Sequence, residues 1–283
     1  MKTVALMPNL TRKNAYPTSV GIIKELNKLG VAVLVDPAVA DRFDSSRVDF
    51  AEMTDAIREC DFVIAVGGDG SIIRAAKAAA PQRKPVLGVN AGNMAFMAGL
   101  EANELQYLHK LTEGNYSLDR RMMLKVGLYE DHDLIRTDLC LNDVVFARGS
   151  EIKLTELDVY CENSFIDRYR ADGVIFSTPT GSTAYSLAAG GPIVQPTLES
   201  IMLTPICPHS LSCRSVIFGK ENRLIVQCAP DVQQQACYSC DGEPAIELSG
   251  KRCAKITTAD MTADFIRIKN TRFWDVLKEK IKT

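Results

Sequence analysis

The chain has no basic block. Its 33 lysines and arginines are matched by 35 aspartates and glutamates, which argues against a nucleic-acid or polybasic membrane-surface role. It has no uninterrupted apolar run long enough to span a bilayer, and no apolar stretch of the signal-peptide kind near its start. These absences lead us to expect a soluble cytoplasmic protein. The nine cysteines are scattered through strand-like segments, so in that compartment they read as buried thiols and not as a disulfide framework. Two phosphate-binding signatures are also missing: a glycine loop ending in Gly-Lys-Ser/Thr, and the strand-linked Gly-x-Gly-x-x-Gly. What remains is 283 residues with 46% hydrophobic content, enough to bury real cores and, by length, to form two domains.

The stretch around which the rest is organised is Gly67-Gly68-Asp69-Gly70-Ser71. Ahead of it, Phe62 to Val66 is a short apolar, β-branched run that reads as a buried strand. Behind it, Ile72 to Ala80 is rich in helix formers and closed by Pro81. Glycines at such a turn permit positive φ and close approach to the backbone. The free N–H groups of a helix start attract an anion, typically phosphate. Asp69 stands where a P-loop carries lysine. A carboxylate aimed at phosphates is repulsive unless it binds a metal or accepts a proton from an attacking hydroxyl. The turn therefore suggests phosphoryl transfer; the plain alternative is a tight turn whose aspartate caps the helix.

Strands are expected at Thr3–Met7, Val31–Val35, Phe62–Val66 and Pro85–Val89, with a helix around Ile22, Ile23, Leu26 and Leu29 and a short one around Phe50, Met53 and Ile57. This alternation predicts a parallel sheet covered on both faces, whose ligands bind at the carboxyl ends of strands. Asp69 and the Asn90-to-Ala95 stretch lie at such ends. Beyond Leu111 the texture changes. Met122–Leu128, Leu139–Ala147, Lys153–Cys161, Phe165–Tyr169, Gly173–Thr178, Arg223–Ala229, Ala236–Cys240 and Phe265–Ile268 all read as strands, giving a second, all-β domain of two packed sheets. Within it, Asn142-Asp143 places two polar side chains in an apolar strand; they must either pair internally or meet a ligand. From Asp172 a strand runs into Thr178-Pro179-Thr180-Gly181-Ser182-Thr183, then a short helix closed by Gly190-Gly191-Pro192. Hydroxyls and free N–H groups crowded there suit sugar and phosphate oxygens, and Tyr185 offers a flat face for a base.

Together, Gly67 to Gly70, Asn142-Asp143, the run from Asp172 to Pro192, Thr204-Pro205-Ile206-Cys207-Pro208-His209-Ser210-Leu211-Ser212 and Asp241-Gly242-Glu243 resemble the NAD kinases, in the right order over nearly the whole chain. The resemblance implies an α/β N-terminal domain, with a parallel Rossmann-like sheet of the phosphofructokinase and diacylglycerol-kinase kind, and an all-β C-terminal sandwich. The boundaries expected are 1–111, 112–258 and a segment 259–283 returning to the α/β domain. The implied activity is phosphorylation of the 2′-hydroxyl of the adenosine ribose of NAD, with ATP or polyphosphate, to give NADP. A divalent metal, magnesium by preference, and a homodimer or homotetramer are implied too, with neither nucleic acid nor membrane as partner and the site between the domains.

By the same resemblance Asp69 is the proton acceptor, and Gly67, Gly68 and Gly70 lie at the nucleotide, with Arg74 reaching a phosphate and Asn90 nearby. Asn142 and Asp143 are the NAD-binding pair. Lys153, Arg170, Asp172, Thr183, Ala184, Tyr185, Ser186, Leu187 and Ala188 line the NAD site, and Glu243 stands where the family often has Gln. The chain departs from the family at Ser71 (usually Thr), Ala95 (usually Gly), Met97 (usually Leu) and Ser215 (usually Pro). A lipid kinase sharing the glycine turn and a non-catalytic NAD(P)-binding regulator are the rival readings. Cys237-x-x-Cys240, with Cys228 and Cys253, admits a zinc or redox site, but its alternation reads as strand and no second Cys-x-x-Cys follows. His209 is expected to be structural. The amphipathic segment Phe273–Lys280 is expected to dock on the α/β domain, with Trp274 in the packing.

Overall fold

The computed structural model describes residues 2–92, 95–149, 153–210, 212–230, 236–248, 250–269 and 273–281. Asn93, Met94 and Leu211, which fall within stretches singled out above, lie outside them. The chain divides into two compact units, residues 1–120 with 261–283, and residues 121–260.

The first unit opens with β1 (Thr3–Pro8), α1 (Ala15–Lys28) and β2 (Ala32–Val35), then β3 (Asp49–Phe50), α2 (Met53–Glu59), β4 (Phe62–Gly67), α3 (Asp69–Ala79) and β5 (Val86–Asn90). β6 (Leu100–Glu101) and α4 (His109–Glu113) follow. The strands pair in the order β3-β2-β1-β4-β5, every pair parallel. Alternation decides which helix covers which face. Leu6, Val33, Ile64, Val66 and Val89 point to a core closed by Ile22, Ile23 and Leu26 of α1, while α2 and α3 pack on the other side of the sheet. Phe50, expected in a helix with Met53, instead ends the edge strand β3.

The second unit contains β7 (Ser117–Glu130), which enters it from the first, β8 (Asp133–Cys140), β9 (Asp143–Arg148), β10 (Thr155–Cys161), β11 (Ser164–Ala171) and β12 (Gly173–Ser177). After α5 (Tyr185–Ala188) come β13 (Ser200–Ile206), β14 (Val216–Gly219), β15 (Leu224–Cys228), β16 (Ala236–Cys240) and β17 (Ile246–Leu248). β18 (Arg252–Arg267) leads back to the first unit, pairing with β5 at Phe265 and Val86, and α6 (Phe273–Ile281) ends the described chain. One antiparallel sheet runs β14-β13-β12-β9-β16-β17; the other runs β11-β10-β15-β18, with β7 joined to β18 and β8. Every second residue of facing strands fills the core between them: Leu124, Val126, Leu157 and Val226 from one sheet, Phe146, Phe176, Leu203 and Tyr238 from the other. This is the expected sandwich.

β13, β14 and β17 escaped the sequence reading, as did the short β3 and β6 and all but the ends of β8 and β18. β13 carries Pro205, a residue that ordinarily argues against a strand within a sheet. It is tolerated because β14 pairs only with Ser200 to Leu203, so no donor is missed at 205 on that side. The single strand expected at Leu139–Ala147 is two strands broken at Leu141-Asn142. Trp274 does not pack away as expected: it is 49% exposed and its ring meets Phe273, while Leu277 supplies the buried contact. No described helix is long and apolar enough to cross a membrane.

Candidate active site

In the first unit the chain runs outward from β1 to β2 and β3, then returns to the other side of β1 as β4. The carboxyl ends of β1 and β4 are therefore the point where strand order reverses, which is where open parallel sheets hold ligands. Gly67 ends β4 and α3 begins two residues later at Asp69. Only glycine fits at 67: φ is +157° and a Cβ would stand 2.6 Å from the Ser71 hydroxyl oxygen. That hydroxyl accepts a 2.8 Å hydrogen bond from the amide of Asn9, whose own N–H donates to Val66. Asn9, which the sequence reading passed over, thus latches the end of β1 to the glycine turn. Among the described residues an added Cβ beside Gly68 or Gly70 would meet nothing within 4 Å, so there is room for a group to approach the helix start at these glycines.

Asp69 is half-buried, and its carboxylate accepts N–H bonds from Phe96 (2.9 Å) and Met97 (2.8 Å). The loop after β5 holds it in place. That loop is anchored in turn by Asn90, 3% exposed, whose amide donates to Glu101 and whose oxygen accepts from the Gly92 N–H. Arg267, on β18, donates to the carbonyls of Met97 and Ala98 and pairs with Asp119 at 2.9 Å. Arg74 is exposed on α3. Asn90 thus builds the loop with its side chain, and Asp69 lies where the loop, the glycine turn and the switch point meet.

In the second unit the break between β8 and β9 presents Asn142 and Asp143. The Thr178 N–H donates to the Asn142 carbonyl, and the Thr178 hydroxyl donates to the carbonyl of Leu141. Gly181 lies against the same segment: a Cβ there would be 2.1 Å from the Asn142 carbonyl oxygen. From the other side comes the turn between β16 and β17, formed by Asp241 and Gly242 at φ +51° and +73°. Asp143 is 5% exposed. Among the described residues neither its carboxyl nor the Asn142 side-chain amide has a hydrogen-bond partner. Ser177, directly opposite Asp143 in the β9–β12 register, has a buried hydroxyl that is also unpartnered. Burial, reinforced by the Asp241 charge, pushes the Asp143 carboxyl up to about 7. The pair at 142–143 does not satisfy itself internally. Asn142 is half-buried, and a buried carboxyl left in this way, as Asp143 is, marks a place where something else bonds.

The hydroxyl-rich run behaves differently from expectation. Thr178 bonds to Leu141, Thr180 accepts from Arg121, Ser182 bonds to the Pro179 and Val194 carbonyls, and Ser186 meets Thr204 at 3.0 Å. These side chains face inward and build the turn. Tyr185 is 46% exposed, with Thr183, Ala184 and Leu187 half-buried and Ala188 exposed beside it. Arg170 pairs with Glu156 and Asp172 with Arg148; Lys153 and Glu243 are exposed. The Arg170 carbonyl accepts from the His209 N–H, while the His209 side chain is exposed. Cys237 and Cys240 lie on β16, where Cys240 enters the core. Among the described residues no group of three His, Cys, Asp or Glu could hold a metal.

A helix start open to phosphate, with a fixed acid beside it, belongs to a phosphotransferase acting on a hydroxyl. Comparison with known proteins agrees. Residues 4–116 match the family described as the ATP-NAD kinase N-terminal domain, and residues 141–268 match the ATP-NAD kinase C-terminal domain. The NAD kinase of Symbiobacterium thermophilum is 38% identical, with 99% of each chain covered. That of Moorella thermoacetica is 35% identical, with all of this chain and 90% of the relative covered. A crystal structure of yeast NADH kinase complexed with NADH superposes with a TM-score of 0.90 at 26% identity, covering all of this chain and 88% of that one. An NAD kinase from Archaeoglobus fulgidus in complex with ATP shares the fold at a TM-score of 0.75 and 23% identity, covering all of this chain and 99% of that one. The chain belongs to the NAD kinase family.

Proposed function

We propose that this chain transfers a phosphoryl group from ATP to the 2′-hydroxyl of the adenosine ribose of NAD, giving NADP, with Asp69 as proton acceptor. The observation that carries the reading is the Asp69 carboxylate, fixed by two N–H groups at the switch point beside an open helix start. A ribose hydroxyl is a weak nucleophile, so catalysis rests on positioning and charge stabilisation. The Asp69 carboxylate orients the hydroxyl and takes its proton late in the transfer. The N–H groups of Gly68, Asp69 and Gly70 offset phosphate charge, and Arg74 lies one turn further along the same helix. The second unit reads the dinucleotide: Asn142 and Asp143 by hydrogen bonds, Tyr185 by its open ring face. Lys153, Arg170, Asp172 and Glu243 supply the polar rim.

Magnesium fits this arrangement in one respect. It is commonly held by one or two carboxylates, water and the phosphates themselves, and needs no all-protein cage. When bound it neutralises charge on the transferred phosphoryl group, and Asp69 is the carboxylate at the right helix start. The protein works in the cytoplasm as a homodimer or homotetramer. The test is NADP formation from NAD, ATP and magnesium, followed with an NADP-specific dehydrogenase. Asp69→Asn is expected to retain NAD binding and lose turnover by roughly two orders of magnitude, as for a positioned base. Near-normal turnover in the purified variant refutes the assignment of Asp69.

A further inference from the structure

Asp241 is placed in the NAD-reading half by topology alone. It lies about a hundred residues along the chain from the segment it grips. One carboxylate oxygen accepts the N–H of Leu141 at 2.8 Å; the other accepts those of Asn142 at 2.8 Å and Asp143 at 3.1 Å. Its own N–H donates to the Asp143 carbonyl at 2.9 Å. Three successive backbone donors converging on one carboxylate make an anion nest with the anion built in. Asp241 holds a left-handed backbone conformation to do this, at φ +51°, which aspartate tolerates better than most residues. Thr178 takes the carbonyls of Leu141 and Asn142 from the opposite side. The segment is therefore clamped through its backbone, while the Asn142 amide and the Asp143 carboxyl are left without partners among the described residues.

We propose that Asp241 is a positioning residue for nucleotide recognition: it fixes the Leu141–Asp143 backbone so that the Asn142 and Asp143 side chains are preset for the dinucleotide, and does not itself touch it. The proposal rests on the reading of Asn142 and Asp143 given above. A second consequence follows from proximity. Asp241 is the charged group acting on Asp143, and the cross-strand neighbour on β12, Ser177, carries no charge. The negative charge that shapes the segment therefore also favours the protonated, hydrogen-bond-donating form of Asp143 near neutral pH.

The experiment is the KM for NAD at saturating ATP, from pH 5.5 to 8.5, for the full-length wild type, Asp241→Asn and Asp143→Ala. Asp241→Asn keeps the shape but turns an NH2 group towards backbone donors. Its KM for NAD is expected to rise about tenfold, the scale of one lost charge-assisted bond, with kcat and the KM for ATP little changed. The inflection in KM near pH 7 moves to lower pH, because a like charge has gone. A hairpin role alone lowers thermal stability without raising the KM for NAD, while the inflection moves in either case because the charge is gone. Amide hydrogen exchange on the wild type covers the case where the variant fails to fold: Leu141, Asn142 and Asp143 are expected to be protected before NAD is added. An unchanged KM for NAD in Asp241→Asn, or rapid exchange relieved only by NAD, overturns the proposal. Should Asp143→Ala leave the KM for NAD unchanged, the dinucleotide reading itself fails. If only Asp143→Ala raises it, the role of Asp241 alone is lost.

Discussion

Replacing Asp143 by Asn should stabilise the NAD-free protein, and by more as the pH rises towards 7. In the unfolded chain this carboxyl titrates at its ordinary value of 3.8, whereas in the folded protein burial and then Asp241 push it up to about 7. Between those values the native state holds a proton that the unfolded state has lost, so folding stability falls as pH rises through the window and levels off above 7. At about 1.4 kcal/mol per tenfold in acidity, the raised pKa costs the wild type on the order of 4 kcal/mol at pH 8, where the native carboxyl is ionised, and about 2 kcal/mol at pH 5, where the native state must hold a proton that the unfolded chain has lost. Asn is neutral throughout and nearly the same size. Its other effects on packing do not vary with pH. The difference in unfolding free energy between variant and wild type, measured in urea at both pH values, is therefore expected to grow by about 2 kcal/mol from pH 5 to pH 8. A difference that stays constant with pH means that Asp143 is ionised at neutrality, and that the account of its surroundings is wrong. The same carboxyl thus carries a stability cost where the proposed function needs a donor, the usual mark of a binding residue held ready.

Two further outcomes test the other half. Arg267→Gln removes the guanidinium that ties Met97 and Ala98 to Asp119, leaving a partly buried carboxylate and two carbonyls without it. A loss of about 2–3 kcal/mol in a urea titration is expected, together with lower kcat and a nearly unchanged KM for NAD, because the freed loop carries the N–H groups that hold Asp69. Gly68→Ala meets no atom of the described residues within 4 Å and keeps an ordinary extended backbone, so a thermal melt should show it as stable as wild type. Its KM for ATP should nevertheless rise, since the new methyl stands where a phosphate would approach. Wild-type ATP kinetics in that variant would place the phosphates elsewhere.

Much of the parallel sheet was legible because its strands are buried on both faces. Continuous runs such as Phe62–Val66, each followed by a turn signal, admit few other readings. Asp69 was legible because a strand-turn-helix with an acid in place of lysine is a local pattern. Asn9 was not: its partner Ser71 lies across the strand reversal, and nothing near Pro8 points to it. Asp241 was visible only as part of the Asp241-Gly242-Glu243 string that resembles the family, since its contacts are with three amides about a hundred residues away. The break at Leu141-Asn142 was hidden because both flanks, Leu139-Cys140 and Val144-Val145, are apolar, and the run reads as one strand until the polar pair is asked for its bonds. Pro205 hid β13 by a rule that holds for central strands and is relaxed where the neighbouring strand stops short.

The hydroxyl run shows most clearly what a sequence signature does and does not say. Thr178, Thr180 and Ser182 look in sequence like a surface for phosphate and sugar oxygens, yet each is buried with its oxygen bonded inside the unit. Gly181 is required by the carbonyl of Asn142 and not by a ligand. The residues of this run are therefore there to bring one backbone segment against another, and what they leave for a ligand is the Tyr185 ring and the side chains at 142 and 143. Asp69 follows the same rule, since its carboxylate is set by backbone donors from a loop nearly thirty residues away. In both units the groups proposed to meet substrate are few and are aimed by main-chain contacts, so neighbours that never touch NAD or ATP are as tightly constrained in residue type as those that do.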